Sequence, residues 1–195
     1  MSRYADSADV AALLKDLYAA FDEPNDLFTK PRYSEDRAEF VGEVLRYDRD
    51  TIPQQVLDLL AWRLLTTVGT PQTMRHYLPR IFNEFLLNNG LDTTDWWVVA
   101  DKMKMAKFAD WREDQRRLTV LAFKFVIADE ILFANGIMPA DMPELAAEAF
   151  PTMTMAALVG LLDPLRDTAQ AELGSTAHCR PSVDFLLEAE SALKG

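Results

Sequence analysis

Apolar residues in this chain recur three and four positions apart, and no stretch sustains the alternation that a β-strand requires. Val10, Leu13, Leu14, Leu17, Tyr18 and Phe21 set the pattern. Such spacing lines one side of a 3.6-residue helix, whereas a half-buried strand needs a period of two. No Asn-Gly turn joins two strand-like runs; Asn89-Gly90 follows a helical pattern instead. The chain is therefore expected to be all-α.

Helix punctuation agrees with the periodicity. Ser7 is placed to cap the first helix, and Pro24, Asn25 and Pro31 mark a loop over residues 22–33. Ser34 can cap a second helix with Ala38, Val41, Val44 and Leu45 as its apolar positions. A third is expected from near Thr51, with Pro53 in its first turn, through Val56, Leu59, Leu60 and Leu64 to a stop at Gly69. Thr70-Pro71 opens a fourth, which carries Met74, Tyr77, Leu78, Ile81, Phe82 and Phe85 and ends at Asn88-Asn89-Gly90. Pro79 should kink it or restart it, because proline removes a donor and crowds the preceding turn. A fifth starts at Thr93 or Thr94 and carries Trp96, Val99, Met103 and Phe108.

Asp110 and Glu113 have the spacing of a capping box ahead of a long helix from about Trp111 to Asn135. Asp141 and Glu144 repeat that spacing, and further helices are expected over residues 153–173, broken at Pro164, and 182–194. The total is about eight or nine helices in one domain spanning residues 1–195, arranged as a multi-helix bundle or as stacked helical hairpins.

A chain of 195 residues should bury roughly 70% of its unfolded surface, so its core needs neither disulfide nor metal. Its one cysteine, Cys179, fits a reducing compartment. Asp6, Asp9, Lys15 and Asp16 interrupt any leader-like run at the N-terminus, and Lys124, Asp129 and Glu130 interrupt the most apolar stretch, Leu118 to Ala134. A cytoplasmic protein with no membrane partner is the expectation.

Charge narrows the partners. The formal net charge is −11, which argues against nucleic acid, since phosphate binding needs a basic surface. From Ala128 to Gly195 eleven acids face three bases, Arg166, Arg180 and Lys194, so the C-terminal third alone carries −8. The basic cluster of Lys102, Lys104, Lys107, Arg112, Arg116 and Arg117 lies among Asp101, Asp110, Glu113 and Asp114 and reads as a mixed-charge helix surface.

Residues that carry chemistry are sparse. His76 has no acid or cysteine at helical spacing, and His178-Cys179 has no second pair to complete a zinc site. The carboxylates Asp129 and Glu130 lack the Glu-x-x-His motifs of bundle di-metal sites. Seven scattered glycines build no phosphate loop, and no serine sits in a Gly-x-Ser-x-Gly elbow. No cofactor or metal is expected. Trp96 and Trp97 are consecutive, so on a helix they diverge by about 100°; packing against a neighbouring helix is the first reading of the pair, and a partly exposed Trp97 acting as an interface anchor is the second.

The segment Met74-Arg75-His76-Tyr77-Leu78-Pro79-Arg80-Ile81-Phe82, followed by Trp111 and a long apolar helix, resembles a pattern in a family of bacterial helical proteins with no assigned function. The resemblance covers about residues 55–135, and Tyr77, Pro79 and Arg80 match it. It implies a bacterial origin and a helical fold, and brings no activity.

The expectation for function is a non-enzymatic protein-binding domain. Its concrete form is an immunity protein or antitoxin that neutralises a basic toxin through an acidic face. The partner-facing candidates are Trp97, Asp129, Glu130, Asp141, Glu144, Glu148, Asp163 and Asp167. The alternative is an enzyme or small-ligand binder with an inter-helix site drawn from Tyr77, Arg80, Asp129 and Glu130. A self-assembling helical module is a third reading.

Overall fold

Ser7 sets the first boundary: its Oγ accepts from the Val10 backbone N–H at 3.3 Å, and α1 (Ala8–Ala20) follows. The structure is a computed structural model. It describes Tyr4, residues 6–22, Phe28, and residues 34–88, 90–134, 152–160 and 180–193, with the backbone alone for 130–134 and 180. It is all-helical, with no strand among the described residues. Contacts divide the chain into two compact units, Met1–Gln115 and Arg116–Gly195.

In the first unit, α1 buries Val10, Leu13, Leu14, Leu17 and Ala20 as its spacing requires. The next helix, α2 (Glu35–Val44), starts after Ser34, but the serine side chain makes no capping bond. Phe40, Val41 and Val44 are buried; Ala38 and Leu45, expected inside, are exposed. Pro53 stands at the N-cap of α3 (Gln54–Arg63) rather than in its first turn. Helix α3 also ends earlier than Gly69. Leu64 leaves it extended, Leu65 adopts a left-handed φ of 64°, and the Leu65 N–H donates to the Val68 carbonyl at 2.8 Å. Gly69, at φ 76°, completes the stop; a Cβ there would lie 3.0 Å from both Leu64 and Thr73 side chains, so glycine is required.

Thr70 and Thr73 then form a reciprocal capping box that opens α4 (Pro71–Leu87). Pro79 neither ends nor restarts this helix. It is buried, as are Tyr77, Leu78, Ile81 and Phe82 around the helix, and packing on several sides holds the turn that lacks its hydrogen bond. Asn88 and Gly90 both donate to the Glu84 carbonyl, at 3.0 and 2.9 Å, and close the helix.

Helix α5 (Trp96–Met105) starts one residue after Asp95, not at Thr93 or Thr94. A short 3-10 turn (Phe108–Asp110) follows and buries Phe108. The expected Asp110–Glu113 capping box is absent: Asp110 sits in the 3-10 turn, and the Arg112 N–H donates instead to the Gln115 side chain at 3.4 Å. That contact opens α6 (Glu113–Ala134), two residues later than expected.

Packing within this unit places α4 against α1, α3 and α5. Helix α1 has no basic residue in its last turn, yet its terminal carbonyls are satisfied from far along the chain. Arg112 and Gln115 donate to the Ala20 oxygen at 2.6 and 2.9 Å, and Arg49 donates to the Phe21 oxygen at 3.0 Å. Between α1 and α4 lies a polar seam. The Arg49 guanidinium sits 4.7 Å over the Tyr18 ring, and Arg80 pairs with the buried Glu84 one turn on. Burial, then the Asp50 charge, raises the Tyr18 phenol above its ordinary value, against the opposing pull of Arg80 and Arg49.

The second unit is knit by one carboxylate. On α7 (Arg180–Ser191), Glu190 pairs through Oε1 with Lys124 of α6 at 2.5 Å. Its Oε2 accepts the Met155 backbone N–H at 3.0 Å, at the start of helical residues 155–160. Leu118, Phe123, Ile127, Met155, Leu158, Val183 and Leu186 are buried around this junction. The expected Asp141–Glu144 box and the Pro164 break lie outside the described residues.

Two outcomes test this packing. Glu84 is 2% exposed, so Glu84→Ala leaves the Arg80 charge uncompensated in the interior and should cost about 3–5 kcal/mol in denaturant unfolding, while Glu84→Gln should cost less. Burial pushes the Tyr77 phenol up to about 12. Folding therefore favours the neutral phenol; that contribution is intact below about pH 10 and is lost as the pH climbs through 12. Phenolate absorbance should accordingly show a tyrosine titrating near pH 12 in the folded chain, and Tyr77→Phe should remove that step.

A candidate protein-interaction face on α3 and α5

Asp58 fixes the relation of these two helices. It is buried on α3, and its Oδ2 accepts both the backbone N–H and the hydroxyl of Thr93 at 2.8 Å. The Thr94 hydroxyl donates to the Asp58 carbonyl at 3.1 Å. The two threonines are thus engaged by α3 and do not cap α5. At the other end, Lys102 donates to the Thr66 hydroxyl at 3.1 Å. Burial holds the Lys102 ammonium below its usual value, with Asp101 acting in the opposite sense.

Both ties join residues 35 or 36 apart in sequence. A constant offset at two ends means that α3 and α5 run parallel, side by side. Around α3, Trp62 falls between the buried Asp58 and the outward Leu59.

That side is not covered. Trp62 is 51% exposed and Leu59 44% exposed, and Met105, at the far end of α5, is also 44% exposed. Trp97 is half-buried, and its indole N–H donates to Asp95 Oδ2 at 3.1 Å. Trp96 turns inward and is 4% exposed. A tryptophan and a leucine left half in water carry a large unrealised burial, and aromatic side chains of this kind anchor protein interfaces. Exposed charges of both signs lie along α5 and its flanks, ending at Asp110. Asp92, Asp95 and Asp101 are exposed toward its beginning, and Lys104 and Lys107 toward its end.

The other candidate residues are distributed differently. Asp129 lies half-buried on α6 in the second unit. The side chain of Glu130, and Asp141, Glu144, Glu148, Asp163 and Asp167 entirely, lie outside the described residues, as do His178 and Cys179. Tyr77 and Arg80 sit one turn apart in α4, Tyr77 2% exposed and Arg80 paired with Glu84. The His76 ring packs edge-on against Tyr77 at 4.8 Å. In the basic cluster, Arg112 forks onto Asp114 through two bonds of 3.1 Å, and this holds the Asp114 carboxyl below its usual range. No group of three or more His, Cys, Asp or Glu able to hold a metal occurs among the described residues. Within them no helix is long and apolar enough to cross a membrane.

Periodicity alone misassigned α3. The run Val56-Leu57-Asp58-Leu59-Leu60-Ala61-Trp62 has apolar residues on every side of a helix. Its packed set is Val56, Leu57, Leu60 and Ala61 with Asp58, so Leu59 faces out and Trp62 goes with it. The available signal was the carboxylate itself, since a buried Asp must find donors, and Thr93-Thr94 supply them.

No protein-family model matches the chain, and no curated protein or solved structure matches it significantly.

Asp58→Ala removes an acceptor of two charge-assisted bonds and should cost about 3 kcal/mol. Amide exchange should show the first turn of α5 losing protection ahead of α1 and α4. Equal loss across all three helices would mean that Asp58 does not position α5.

Proposed function

We propose that this chain is a non-enzymatic protein-binding domain. The observation that carries the reading is the half-exposed Trp62, beside the exposed Leu59 on a helix that Asp58 ties to the start of α5. A rigid apolar strip on paired helices gives a partner a preformed surface, so little conformational entropy is lost on docking. Aromatic anchors at such strips commonly account for most of the binding energy.

Charge adds the finer part of the proposal. A net charge of −11 attracts basic proteins and speeds their encounter. Asp184 and Glu188 are exposed on α7, while Glu190 turns inward to Lys124. An immunity protein or antitoxin that holds a basic toxin is the concrete form of this reading, with acids of the second unit as its contact.

The test is affinity capture from native cells with the full chain as bait, in low and high salt. A single basic protein retained at low salt, released at high salt and weakened by charge reversal at Asp184 and Glu188 is the expected result. If no protein is retained under either condition, and Trp62→Ala changes no interaction of the chain, the reading fails.

A further inference from the structure

We infer that the surface at Trp62 takes an arginine carried on an apolar segment of a basic partner protein. The inference rests on the reading of the chain as a protein-binding domain and names the chemistry that its exposed tryptophan recognises. Hydrogen bonds lay residues 90–94 along one edge of α3. Gln54 donates to the Gly90 carbonyl at 3.0 Å, and one turn further on Asp58 accepts from Thr93. Trp62 follows Asp58 by another turn and lies between that edge and Leu59. The exposed Asp92 and Asp95 stand on either side of Thr93 and Thr94 in the chain, so they border the Asp58 edge of this surface.

The charges at that edge have one sign. Among the described residues no Lys or Arg pairs with Asp58, Asp92 or Asp95, whereas Asp50, Glu84 and Asp114 each pair with a nearby arginine. The bases closest to Trp62 are turned elsewhere. Arg63 lies 4.6 Å over the Phe40 ring of α2, and Lys102 donates to Thr66. Within Asp58, Oδ2 takes both Thr93 donors, and Oδ1 is buried without a hydrogen bond. A buried carboxylate with no cation beside it projects a negative potential that salt screens poorly. A guanidinium answers both features of the surface. Its plane stacks on an indole, and its edge donates to carboxylates. A lysine ammonium brings the charge without the plane. Leu59, on the outer side of the indole, receives an apolar neighbour of that arginine.

The probes are synthetic amphipathic peptides of one pattern, leucine with arginine, with lysine or with glutamate, titrated against the full chain by calorimetry. The arginine peptide should bind best, the lysine peptide less well and the glutamate peptide not at all. Trp62→Ala should weaken the arginine peptide about thirtyfold, the scale of an interface anchor. Asp92→Asn with Asp95→Asn should weaken it and flatten its dependence on salt. Asp184→Asn with Glu188→Asn should leave it unchanged. Circular dichroism checks the fold of each variant. The two α5 substitutions keep it in any case, because Asn serves at a helix start as Asp does, and they test the site without touching Trp62. An arginine peptide that does not bind, that binds no better than the lysine peptide, or that ignores either the Trp62 or the Asp92 and Asp95 variant overturns the inference. A native basic protein held through Asp184 and Glu188 but indifferent to Trp62→Ala would overturn it too, and would leave the proposed function standing. Capture of no protein from native cells counts against the proposed function, while the peptides report on the site directly.

Discussion

The Asp58 carboxylate is the constraint on which the exposed face depends. Thr93 donates twice to that carboxylate, the Thr94 hydroxyl donates to the Asp58 main-chain carbonyl, and together these bonds bring the start of α5 to the side of α3. Burying that group is tolerable only because those donors are present. Their cost is that α5 begins without a side-chain cap, and Asp95 is left to the indole of Trp97. Once α5 is held there, the positions of Trp62, Trp97 and Met105 follow from helical geometry. Lys102 closes the far end on Thr66 and prevents the two helices from splaying.

Much of the architecture was legible in the residues. The caps at Ser7 and Thr70, the stop at Asn88 to Gly90 and the apolar faces of α1 and α4 follow from local rules. Where local rules failed, a tertiary contact had taken the residue. Thr93 and Thr94 look like caps but serve Asp58, and Asp110 looks like a capping box but sits in a 3-10 turn. Pro79 looks like a break, but its neighbours in α4 are deeply buried and packing holds the helix through it. The interaction face was the least legible part. Its exposed Leu59 and Trp62 lie in a run apolar on all sides, and only the demand of Asp58 for donors selects which side faces in.

The charge count along the sequence also changes meaning in three dimensions. The C-terminal third carries most of the net negative charge, but its acids are not equivalent. Glu190 is withdrawn from the surface by Lys124 and by the Met155 amide. Asp184 and Glu188, on the same helix, remain in water. A carboxylate that ties together three helical segments stabilises the unit and contributes little to steering a partner. Lys124, which as a sequence feature only argued against a membrane span, is the group that neutralises it.

The closure at the end of α1 bears on the order in which the chain folds. Its Ala20 carbonyl waits for donors 92 and 95 residues away, at Arg112 and Gln115. During synthesis, α1 emerges long before either donor exists, and until then the Ala20 carbonyl has only water, although Arg49 can already reach the Phe21 carbonyl. The first unit therefore cannot complete itself progressively from its N-terminus. Its closing contacts become available when residue 115 clears the ribosome, at the boundary where the second unit begins. Contacts of such long sequence separation carry the loop-closure entropy that slows folding. Helix α4 can cover the apolar face of α1 before that point, so what waits for residues 112 and 115 is the polar closure at the end of α1, not the burial of its core.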